Sequence, residues 1–83
     1  MHKNRLVWAA RRGMLELDLL LGPFVETQYD GLCSDDQLRF EVLLEREDQT
    51  LYRWFLTDEV PEDPNMQRIV QIVRRSHASS SPL

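Results

Sequence analysis

The sequence predicts an all-α protein, a small single-domain bundle of about five short helices. Three observations carry that prediction. Apolar residues recur at the three- and four-residue spacing of a helix along most of the chain. No stretch sustains the apolar/polar alternation of a strand. The breaks between periodic segments are only a few residues long, which joins neighbouring helices into a bundle. Each helix is too short to be stable alone in water, so packing must hold them. The 83 residues leave room for one core. It is expected over residues 1–78, with the serine-rich end, residues 79–83, as a disordered tail.

The first helix is expected from about Asn4, as N-cap, to Arg12. Leu6, Ala9, Ala10 and Gly13 make a small-residue face, and Arg5, Trp8 and Arg12 make a second one. Gly13 stands where a C-terminal cap glycine belongs. A second helix follows from Met14 to about Leu21, with Met14, Leu17, Leu20 and Leu21 on one face and Glu16 near its positive end. Gly22-Pro23 is expected to break or kink it, and Pro23 to open another short helix reaching about Asp30. Asp30-Gly31 is a turn signal.

Ser34 and Gln37 have the spacing of a capping box, which starts a helix at about Asp35. Leu38, Phe40, Val42, Leu43 and Leu44 give it a broad apolar stripe to about Arg46. Asp48 is the expected N-cap of the next helix, where Leu51, Tyr52, Trp54, Phe55 and Leu56 make the most aromatic segment and Tyr52, Trp54 and Phe55 are expected to pack in the core. Val60 to Asp63 is a loop, with Asp63 capping and Pro64 in the first turn of the last helix. That helix is expected to end near His77 and to bury Met66, Ile69, Val70 and Val73.

Composition narrows the function. Ten basic against fourteen acidic residues give a net charge of −4, which argues against a binder of phosphate backbones. The single cysteine, Cys33, permits no internal disulfide and fits a reducing compartment. No apolar run approaches the roughly 20 residues of a membrane span. The start, Met1 to Arg5, has no apolar signal segment, and a cytosolic protein is expected. His2, His77 and Cys33 lack metal-ligand spacing, so no metal site is expected. Cys33 is read as a buried or half-buried thiol, and the acidic clusters as caps and solvated faces. No phosphate-cradling loop, nucleophile elbow or paired acid–base constellation stands out, so no enzyme is expected.

The densest chemistry lies in Arg11-Arg12-Gly13-Met14-Leu15-Glu16-Leu17-Asp18. It has two readings. In one it is a helix-to-helix corner, where Gly13 supplies a left-handed or close-packed backbone and Arg12 pairs with Glu16. Such an exposed pair contributes only about 0.3–0.5 kcal/mol. In the other it is a docking surface. A glycine leaves room for a partner, arginines donate in pairs and carboxylates accept. Arg5 and Trp8 extend that surface, and Trp and Arg are favoured interface anchors.

This stretch, with Arg5, Trp8, Pro23-Phe24, Tyr29-Asp30, Leu43-Leu44-Glu45 and Leu51 to Trp54, resembles the SdhE-type flavinylation factors. These are the small succinate dehydrogenase assembly factors of bacteria and mitochondria, whose hallmark is Arg-Gly-x-x-Glu. The resemblance covers nearly the whole chain except the tail. It implies an assembly factor of the bacterial cytoplasm that binds the flavoprotein subunit of succinate dehydrogenase, and in some bacteria of fumarate reductase; separately, a monomer is expected because the helices leave no apolar stripe over. It implies further that FAD is carried by that partner and becomes covalently attached to it, with no cofactor held stably by the factor. Arg12, Gly13 and Glu16 would be the centre of the contact, flanked by Arg11, Met14 and Asp18 and extended by Arg5 and Trp8. The competing expectation is a small regulatory module, antitoxin-like or nucleic-acid-associated, with Arg11-Arg12 and Arg74-Arg75 as phosphate contacts.

Overall fold

The computed structural model describes residues 3–11 and 13–79. Five α-helices follow one another: α1 (Lys3–Ala10), α2 (Leu15–Thr27), α3 (Ser34–Leu43), α4 (Asp48–Leu56) and α5 (Pro64–Ser79). A 3-10 turn, Tyr29–Gly31, follows α2, and the described residues include no strand. The all-α prediction holds. α2 lies at the centre, in contact with α1, α4 and α5, while α3 packs on α5.

Helix α1 begins at Lys3, one residue ahead of the expected cap Asn4, whose side chain lies outside the described residues. It ends earlier than expected. The Arg11 N–H bonds the Trp8 carbonyl at 3.1 Å, three residues back, and this tight turn closes the helix. Leu6 and Ala10 are fully buried, as their spacing predicted, and Ala9 packs against the core.

The expected break at Gly22-Pro23 does not occur. α2 runs through both residues. Leu17, Leu21, Phe24 and Val25 lie on one face on both sides of that pair, and all four are buried. Their packing holds the helix together although Pro23 gives no N–H to the Leu19 carbonyl. The helix ends where Gln28 N–H bonds Phe24 O at 2.8 Å, and Thr27 Oγ1 donates to Pro23 O at 2.8 Å.

The capping box is a second correction. Cys33 occupies the N-cap of α3 without a side-chain cap, and the Gln37 side chain turns away to donate to the Tyr29 carbonyl at 3.1 Å. α3 stops at Leu43 because the next amides tighten: Glu45 N–H bonds Val42 O, and Arg46 N–H bonds Leu43 O. Its apolar stripe is narrower than predicted. Phe40, Leu43 and Leu44 are buried, whereas Leu38 and Val42 are exposed. Phe40 stacks at 4.9 Å on Phe24 and at 5.8 Å on Tyr29, tying α3 to α2.

In α4, Leu51 and Phe55 are buried and Trp54 is half-buried, whereas Tyr52, expected in the core, is exposed together with Leu56, because one face of the helix is already filled by Leu51 and Phe55. Glu47, not Asp48, holds the N-cap position. The expectation for α5 is met at its start, since Asp63 Oδ1 accepts from Asn65 N–H at 2.8 Å. Met66, Ile69, Val70 and Val73 are all buried. α5 reaches Ser79, past the expected end near His77; residues 80–83 of the expected tail lie outside the described residues.

A polar clamp joins α3 to α5. Asp36, expected on a solvated face, is buried. Arg68 grips it with Nε on Oδ1 at 2.8 Å and Nη2 on Oδ2 at 3.2 Å. Arg39 Nη1 adds 2.8 Å to Oδ1, and Arg39 Nε donates to Asn65 Oδ1 at 2.8 Å. The Arg68 hydrogen bonds, with Arg39 and the Cys33 thiol, hold the Asp36 carboxyl down at about 2, against burial. Cys33 is exposed rather than buried, and its Sγ lies 3.4 Å from Asp36 Oδ2.

Candidate partner-binding site

The corner between α1 and α2 is a short link between two helices. α1 has closed at Ala10, and α2 starts only at Leu15, after Met14 in extended conformation. The buried Ala10 on one side and Leu17 on the other pin the two helices to the core. Between those anchors Arg11 and Glu16 are exposed.

Arg5, Arg11, Gly13 and Glu16 are exposed, and Met14 and Asp18 are half-buried, with Met14 packed against the core. Trp8 is 71% exposed, an unusual position for a tryptophan. The Arg11 guanidinium lies 5.6 Å from its ring centroid, within cation–π range. Leu15 and Leu19, one turn apart on α2, are exposed by 66% and 61%. Glu16 and Asp18 stand in the first turn of α2, where the helix dipole favours carboxylates. Arg12 and the expected Arg12–Glu16 pair lie outside the described residues.

Gly13 does not adopt the left-handed conformation that one reading required, since no described glycine has positive φ. The tight turn at Arg11 has already ended α1, so no left-handed cap is needed. The close-packed alternative is what occurs. The Gly13 N–H donates to Asp48 Oδ2 at 3.2 Å, and a Cβ placed on Gly13 would meet that same oxygen at 3.3 Å. Asp48 thus reaches back from α4 to the corner, 35 residues away in sequence. Periodicity carries no signal for such a contact.

Beside the corner, Glu16 lines a groove of about 430 Å³ with Leu19, Leu20, Phe55, Leu56, Arg74 and His77. Sequence reasoning missed the exposed Leu15 and Leu19, and it missed this groove. Leu15 and Leu19 were assignable, because they lie a helical turn apart on the side of α2 opposite Leu17 and Leu21.

The family described as "Flavinator of succinate dehydrogenase" matches residues 4–77. The chain is 52% identical to the "FAD assembly factor SdhE" of Pseudomonas aeruginosa over 70 residues, which is 84% of this chain and 83% of that one. It is 50% identical to the protein of the same name from Colwellia psychrerythraea over 72 residues, 87% and 79% of the two chains. Against that of Shewanella oneidensis the identity is 49% over 74 residues, 89% and 90% of the two chains.

Proposed function

The chain belongs to the flavinator of succinate dehydrogenase family, and from that premise we propose that it is a non-catalytic assembly factor which binds the flavoprotein subunit of succinate dehydrogenase through its α1–α2 corner and so promotes covalent attachment of FAD there. One observation carries the reading to this surface. Trp8, Leu15 and Leu19 are exposed around a side-chain-free Gly13. Apolar groups left in water beside charged donors and acceptors are what a partner surface covers.

In this reading Trp8 is the apolar anchor, Arg5, Arg11 and Arg12 are the donors, and Glu16 and Asp18 are the acceptors. Gly13 lets the client backbone approach, and Met14 braces the corner from inside. The bond-forming chemistry belongs to the flavin and its acceptor histidine on the client. This chain's work is to bind, to hold the immature client in a geometry that favours attachment, and to leave. The flavoprotein of fumarate reductase is a second client of the same surface, and the factor acts as a monomer in the cytoplasm. No helix among the described residues is long and apolar enough to cross a membrane.

The test is co-expression of the client flavoprotein with and without this chain, reading protein-bound flavin fluorescence after denaturation and co-purification of the two proteins. The expected result is a stable pair and a rise in covalent flavin. Equal flavin in both arms, with no co-purification, rejects the proposal.

A further inference from the structure

We propose that Asp48 is a positioning residue for the partner-binding corner: its carboxylate, carried on the first turn of α4, fixes the backbone at Gly13 in the geometry a client meets. The inference rests on the docking role proposed for that corner and extends it to a residue outside the Arg-Gly-x-x-Glu stretch.

Three observations support it. First, Gly13 lies between α1 and α2, so no helical ladder holds it. On either side of Gly13 the backbone is tied locally, by the Arg11 N–H on Trp8 O and the Asp18 N–H on Met14 O, whereas the Gly13 N–H bonds Asp48 Oδ2. Of these three hydrogen bonds, the one to Asp48 reaches a distant element, while Met14 is held by its apolar packing on the core. Second, the fit is close. The oxygen that accepts from Gly13 lies 3.3 Å from where a Cβ would stand, so a glycine at 13 and a carboxylate at 48 are matched in shape. Third, the support is firm. Leu51, one turn further along α4, is fully buried, and its N–H bonds Glu47 O at 3.0 Å. Asp48 therefore transmits the position of the core to an exposed loop.

A client binds the corner only in its competent geometry, so its apparent affinity falls in proportion to the time the corner spends elsewhere. Releasing Gly13 so that the competent geometry is populated roughly a tenth to a fifth of the time raises the Kd about five- to tenfold. The carboxylate of Asp48 also favours α4 through the helix dipole, and that structural effect must be separated from positioning. Asp48→Asn removes the charge but keeps an oxygen for the Gly13 N–H, whereas Asp48→Ala removes both.

The experiment titrates the purified flavoprotein subunit of succinate dehydrogenase with wild type, Asp48→Ala and Asp48→Asn, with thermal melts and the Gly13 amide resonance of each. The expected result is a five- to tenfold weaker Kd for Asp48→Ala at full folding, a displaced Gly13 amide, and rescue of both by Asp48→Asn. Wild-type affinity for Asp48→Ala overturns the inference, as does equal weakening of both variants. If Asp48→Ala does not fold, Gly13→Ala takes its place, since its Cβ crowds the same oxygen; undiminished binding by that variant overturns the inference too. Failure of wild type to bind at all rejects the docking role itself, a different result from binding that is indifferent to Asp48.

Discussion

Trp8 and Glu16 are exposed side chains of the proposed contact, and their substitution should separate binding from folding. Trp8→Ala removes a side chain that is mostly in water, so stability should change by less than about 0.5 kcal/mol. Binding of the flavoprotein should weaken by about 2 kcal/mol or more, as for a buried aromatic anchor. A calorimetric titration with unchanged affinity would remove Trp8 from the interface. Glu16→Ala should likewise cost under about 1 kcal/mol of stability yet lower the yield of covalent flavin. Gly13→Arg should keep the helical circular dichroism spectrum and lose the client in a pull-down, because the new side chain fills the corner and crowds Asp48. Loss of the fold in that variant would return Gly13 to a purely structural role. The sequence points to this corner because its charged residues and its glycine are concentrated in eight consecutive positions. Its geometry was not, because the partner of the Gly13 amide comes from another helix.

At the scale of elements, packing overrides local signals. Gly22-Pro23 reads as a helix break, yet the face formed by Leu17, Leu21, Phe24 and Val25 continues across it. The helix therefore carries an avoidable local cost. A Cβ at Gly22 would meet nothing within 4 Å, so Gly22→Ala should raise stability by about 0.5–1 kcal/mol in urea unfolding. A destabilised variant would mean that α2 needs its glycine. The polar clamp between α3 and α5 was equally hidden. Asp35-Asp36 looks like a pair of first-turn acids, and only the arrival of Arg68 from α5 distinguishes Asp36. The folded-state value of about 2 lies below the ordinary 3.8, so the clamp contributes fully above about pH 4. That contribution fades as pH falls through about 2. Thermal melts of wild type and Asp36→Asn should therefore diverge near neutrality and converge across that window. A gap that stays constant down to pH 2 would contradict the assignment of the clamp to an ionised Asp36.

At the scale of the whole molecule, a small core supports a surface that the fold itself does not use. The radius of gyration, 11.7 Å, is close to the about 12 Å expected for a folded chain of this length. Sixteen hydrophobic side chains, from Leu6 in α1 to Val73 in α5, fill its interior. The helical class was legible because those residues recur at helical spacing, and Met66, Ile69, Val70 and Val73 fell where periodicity put them. What spacing cannot say is which apolar residues the core leaves out. Leu38 and Val42 were expected inside and are exposed, since α3 turns toward α5 on Asp36 and Phe40 alone fills the space over Phe24 and Tyr29. Among the described residues, apolar side chains therefore face water both beside the corner and on α3, and these faces compete as places for a client.

Amide hydrogen exchange of the full chain, free and bound to the flavoprotein subunit of succinate dehydrogenase, distinguishes them most directly. Slowed exchange across residues 5–19 on binding, with the α3 face around Leu38 and Val42 unchanged, is the outcome that a docking corner requires. Protection confined to the α3 face, with residues 5–19 exchanging as in the free protein, would contradict it.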